Sequence, residues 1–182
     1  MKNDDYKIKH KSLKERSFTL RGSIIDKAVG IESKIDTLLA TYFCADERRS
    51  IEFAFALLSR ENITFNTKFE VLQFVLINNF PNFIKKYPKL KKDIPHIIRI
   101  RNIVAHQKYF PTDEMVNNHE TVDITFENWK TKDNKAIVKP FPLTQEELTK
   151  YEKAITDTET ALFELRSKMG FEKVIVEVKR KG

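Results

Sequence analysis

The chain has 182 residues, with 33 Lys and Arg against 26 Asp and Glu and a formal net charge of +7. That length predicts one domain with at most a small appendage. The single cysteine, Cys44, cannot form an internal disulfide. Four glycines, at 22, 30, 170 and 182, are too few and too scattered for a glycine-rich phosphate loop, which excludes P-loop and Rossmann nucleotide binding.

In chain order, residues 1–22 form a basic segment without a clear apolar face, expected to be frayed or ordered by a partner. The start, MKNDDYKIKHK, holds no secretory segment. From Ser23, a plausible N-cap, Ile24, Ala28, Ile31, Ile35, Leu38 and Tyr42 recur at helical spacing. Asp46 caps a second predicted helix bearing Ile51, Ala54, Phe55 and Leu58. A third, KFEVLQFVLIN, begins at Asn66 or Thr67 and is apolar nearly all round. The longest uncharged run, 71–84, overlaps it and is too short and too polar to span a bilayer, so a cytoplasmic protein without a membrane partner is expected.

A short helical turn around Phe83 and Tyr87 leads to a fourth helix, IPHIIRIRNIVAHQKY, with Pro95 in its first turn and an end before Pro111. The period then changes to two: Val122, Ile124 and Phe126, then Ile137 and Lys139, flank a KTKDNK turn. This predicts a β-hairpin at about 120–140, broken by Pro140 and Pro142. Thr144 and Glu147 form a capping box for a last helix that closes near Gly170. The tail 171–182 is basic and reads as a strand or a loose end. The expected fold is mainly α: four to five helices in a bundle over 23–170 with an inserted hairpin.

Helical wheels expose an anomaly in that core. Arg101 falls inside the apolar arc of the fourth helix, beside Ile94, Ile97 and Ala105. Asn102 and His106, four apart, share the arc's polar edge, with Arg99 near. On the first helix Glu32 and Asp36 fall inside its apolar arc. Buried charges seek partners, so Arg101 is expected to be held by Glu32 or Asp36, either as a register-fixing pair or as a clamp facing a cleft. Histidine is the residue type most used for proton transfer, which makes His106 the candidate acid–base group.

The stretch Arg101-Asn102-Ile103-Val104-Ala105-His106 resembles the R-x-x-x-x-H motif of HEPN-domain ribonucleases, in the form with Asn after Arg. The helix IIDKAVGIESKIDTLLATYF is similar to the opening helix of that superfamily. The resemblance implies a homodimer whose motif helices meet across the two-fold, metal-independent and cofactor-free cleavage of RNA by 2′-hydroxyl attack, and a toxin or anti-phage role, with a cognate antitoxin as a further partner. It implies that Arg101 binds the scissile phosphate, His106 moves the proton, Asn102 orients, and Glu32 or Asp36 holds Arg101. Toxin members paired with nucleotidyltransferase antitoxins often carry Tyr two residues beyond the His. Here that position is Lys108, and Tyr109 follows, which suits packing at the helix end.

Lys85, Lys86, Lys89 and Lys92, with Arg99 and Lys108, are candidates for guiding RNA by phosphate attraction. The four histidines (10, 96, 106 and 119) show no metal-ligand spacing, so no metal is expected. Two other readings stay open: a non-catalytic HEPN-like module that binds nucleotide, RNA or a partner protein, and a plain helical interaction protein.

Overall fold

The computed structural model describes residues 2–44, 46–60, 62–109, 111–120, 123–132 and 135–169. The chain is mainly helical with a small antiparallel sheet, the expected class. Helix α1 runs Lys2–Phe43, and α2 (Glu47–Phe53) continues into a π-helical turn, Ala54–Leu58. Then come α3 (Phe65–Asn79), α4 (Pro81–Lys86), α5 (Leu90–His106), strand β1 (Lys108–Tyr109), α6 (Asp113–Asn117), β2 (Ile124–Lys132), β3 (Lys135–Leu143) and α7 (Gln145–Lys168).

Local chemistry sets several of these boundaries. Asp46 accepts a hydrogen bond from the Arg49 N–H at 2.8 Å and starts α2 as expected. Thr64 caps α3 through the Thr67 N–H at 3.2 Å. Thr144 caps α7 through the Glu147 N–H at 3.1 Å. Each side-chain oxygen satisfies an amide that the first helical turn leaves orphaned.

Four expectations are corrected. Residues 1–22 are not frayed: helix begins at Lys2, and Ser23 lies inside α1 rather than capping it. The segment has an inward stripe after all, since Leu13 and Ser17 are fully buried and continue into Ile24, Ala28 and Ile31. Helix α5 starts at Leu90, so Pro95 lies inside it. Pro95 is exposed, so its ring lies on the solvent side of the helix. The same helix ends at His106, and Lys108–Tyr109 is a strand. Finally, Pro140 and Pro142 do not break the hairpin: they pair with Glu127 and Thr125. β3 is an edge strand in the order β1-β2-β3, where a missing N–H is tolerated. The hairpin thus closes at Lys132↔Lys135 and extends to Leu143. Expectations for Val122, for the Ile137 and Lys139 side chains and for the tail 171–182 lie outside the described residues.

The residues group into two compact units, each taking a share of α1 and α7. The first comprises Met1–Glu32 with Lys91–Thr156, the second Ser33–Leu90 with Asp157–Gly182. Segment 1–22 therefore belongs to a core and is not an appendage. In the first unit Leu13, Ile24, Ile94, Ile97, Ile100, Val104, Phe126 and Tyr151 are buried to 1% exposure or less. The Tyr151 hydroxyl is satisfied inside that core by donating to the Ile24 carbonyl at 2.7 Å. In the second unit Ile35, Leu39, Phe69, Leu72, Phe83 and Leu165 are buried.

Candidate functional site

Helix α5 stops at His106 because the chain there turns outward to pair with the sheet. The Gln107 N–H closes the last turn on the Ile103 carbonyl at 2.9 Å. Lys108 and Tyr109 then face Glu127 and Phe126 of β2. The rings of Tyr109 and Phe126 lie 6.5 Å apart, so the aromatic contact draws Tyr109 into the sheet. Its hydroxyl is buried without a hydrogen-bond partner. Burial pushes that phenol up to about 12, with Arg16 acting the opposite way. Tyr109 therefore packs, as the residue order suggested, but on a sheet rather than on a helix end.

His106 is exposed and lies on the wall of a groove of about 520 Å³. On the α5 side the groove is lined by Ala105, His106, Gln107, Lys108 and Tyr109, with Pro111 beyond. The opposite wall is the first half of α1: His10, Lys14, Phe18 and Arg21. Both walls belong to the first unit. Those α1 positions are four, four and three apart and so form one stripe, next to the buried Leu13–Ser17 stripe. No Asp or Glu is among the lining residues. Lys14, Arg21 and Lys108 along the groove raise the local positive potential and favour an anionic ligand.

Two anchors hold that wall in place. Tyr6 donates to Asp113 at 2.9 Å, and Arg16 donates to the His119 carbonyl at 3.1 Å. Arg21 is fixed more tightly. Its Nη2 donates to the Gln107 carbonyl at 2.9 Å, and its guanidinium lies 5.2 Å from the Phe126 ring centre. The carbonyl it grips is the one directly after His106.

Arg101 is half-buried on α5, and its hydrogen bond differs from the expected one. Nη1 donates to Asn102 Oδ1 at 3.0 Å, and the buried Nε makes no hydrogen bond. Asp36 is engaged instead by Lys68 of α3, at 2.8 Å. Lys68 is 4% exposed, so the pair is a nearly dry ion pair within the second unit. Glu32 is half-buried on α1. The expected Arg101–Asp36 pair is therefore not formed: Asp36 meets Lys68, and Arg101 bonds its neighbour Asn102. Arg101 is not among the groove-lining residues.

The other basic candidates divide. Lys108 lines the groove. Lys86 is committed to Glu164 at 2.5 Å, where the carboxylate also accepts from Tyr87. Arg99 lies 3.5 Å from Glu147 and over the Phe141 ring at 5.3 Å. Lys85, Lys89 and Lys92 are exposed outside the groove lining. Sequence reasoning missed His10, Lys14, Phe18 and Arg21, although their helical spacing was readable once residues 1–22 are taken as helix. Among the described residues no cluster of His, Cys, Asp or Glu forms a metal site, and no helix is long and apolar enough to cross a membrane.

No family model, curated protein or solved structure matches the chain.

Proposed function

We propose that the chain is a metal-independent, HEPN-type endoribonuclease in which His106 transfers the proton as a 2′-hydroxyl attacks the adjacent phosphate. The observation that carries this reading is the groove beside His106, lined by cations and by no carboxylate. A phosphodiester backbone matches that charge, and an exposed imidazole at its wall suits acid–base work. Arg101, oriented by Asn102, would stabilise the charge that develops on the phosphate, usually the largest contribution to such a step. Because Arg101 lies outside the groove lining, the reading requires a homodimer in which a second copy brings its Arg101 to this His106. A toxin or defence role with a cognate antitoxin follows from the motif resemblance alone.

The test is incubation with RNA in EDTA. Wild type should cut and leave 2′,3′-cyclic phosphate ends, while Arg101→Ala and His106→Ala should each lose activity by about a hundredfold or more. Mixing the two inactive variants should restore part of the activity if the site is shared between copies. Uncut RNA in every lane refutes the enzyme. One observation favours a second reading, a non-catalytic RNA-binding module: Arg101 bonds its own neighbour and is not in the groove wall. That reading predicts retained binding with intact RNA.

A further inference from the structure

We propose that the first half of α1 is the strand-binding arm of this site, with Arg21 holding a phosphate next to His106 and Phe18 carrying a stacked base. The inference rests on the RNA-directed reading above and assigns binding roles to residues outside the R-x-x-x-x-H motif.

Three observations point there. His10, Lys14, Phe18 and Arg21 form one stripe along twelve residues of α1, about 16 Å of helix, the length of several nucleotides. Arg21 is preorganised by the Gln107 carbonyl at 2.9 Å and by the Phe126 ring. It is a fixed fork whose remaining donors meet no carboxylate among the groove residues. A bound phosphate there would lie beside the imidazole, because the gripped carbonyl follows His106 in the chain. A planar fork of this kind suits phosphate oxygens better than a point charge does.

Phe18 is the third observation. It is 54% exposed although it belongs to a helix whose neighbouring stripe is buried, and the Lys14 ammonium sits 5.6 Å from its ring centre. An aromatic face flanked by a cation in a basic groove is the arrangement on which an unpaired base stacks beside its phosphate. A duplex offers no such base, since its bases are stacked and its deep groove is closed to side chains. The arm therefore selects single strands over duplex.

The test is fluorescence anisotropy with a short 2′-O-methyl RNA, which the proposed chemistry cannot cut, and with a duplex of the same length. Phe18→Ala should weaken single-strand binding about tenfold and leave duplex binding unchanged. Arg21→Gln should weaken it by a similar factor and reduce the slope of log affinity against log salt by about one. Phe18 is half-exposed, so its truncation leaves the core intact, and it decides the matter if Arg21→Gln melts early. Wild-type protein that binds in this way but never cuts RNA refutes the nuclease and leaves the arm standing. Wild type that cuts, with both variants binding and cutting equally well, overturns the arm alone. Wild type that neither binds nor cuts overturns both.

Discussion

Two sets of cations in the molecule, one in each unit, are answered in different ways. In the second, Lys34 meets Glu159 at 2.7 Å, Lys68 meets Asp36 at 2.8 Å and Lys86 meets Glu164 at 2.5 Å. In the first, Lys14, Arg21 and Lys108 line a groove with no carboxylate among its described lining residues. A matched cation spends its field on its partner and fixes the fold. A row of unmatched ones projects a field into solvent, where only an external anion can answer it. The contrast separates charges matched within the fold from charges that face the groove.

The dry pair gives the largest effect. Asp36→Ala removes the carboxylate that meets the buried Lys68 ammonium at 2.8 Å and should cost about 3 kcal/mol in urea unfolding. A cost near zero would show that the second unit does not depend on its matched charges. The first unit combines ion pairs, Lys27 with Glu152 at 2.5 Å among them, with buried hydrogen bonds. Tyr151→Phe removes the bond to the Ile24 carbonyl and leaves that acceptor buried, for a loss of about 1.5 kcal/mol.

Acid should separate the units further. Lys86 and Tyr87 hold the Glu164 carboxyl down to about 2, against an ordinary 4.5. A depressed folded value means that this contribution is complete above pH 4.5 and is lost as pH falls from 4.5 towards 2. Glu164→Gln should flatten the stability profile across that window, and an unchanged profile would show that the cluster is idle. The smallest effect belongs to Tyr109→Phe. Its hydroxyl is buried without a hydrogen-bond partner, so its removal should change stability by no more than about 0.5 kcal/mol. A large loss of RNA cleavage in that variant would give the phenol a role in the chemistry.

How much of this was legible in the sequence follows from the range of the forces involved. Caps are local, so Asp46 and Thr144 could be read directly. The inward carboxylate Asp36 could be read from its wheel, but its partner could not. Lys68 sits in the first turn of α3, where a lysine usually faces water, yet it shares a stripe with the buried Phe65, Phe69 and Leu72. The start of α1 was obscured because its inward stripe includes Ser17, a buried hydroxyl where an apolar residue would have shown the period. With those residues taken as unstructured, the stripe of His10, Lys14, Phe18 and Arg21 had no helix to belong to. The end of α5 was misjudged because no glycine or proline stops it. A strand pairing with distant Phe126 does, and that contact is invisible locally. His106 and its motif were readable, whereas the groove around it depended on tertiary structure.

The contrast itself can be measured in one comparison: RNA affinity against salt for wild type, Lys14→Gln and Lys34→Gln. Each variant removes one positive charge, from the groove in one case and from the Glu159 pair in the other. The account predicts that Lys14→Gln weakens binding and lowers the salt slope by about one, while Lys34→Gln leaves both unchanged. Equal losses from the two variants would mean that RNA responds only to net charge and that the groove is not the site.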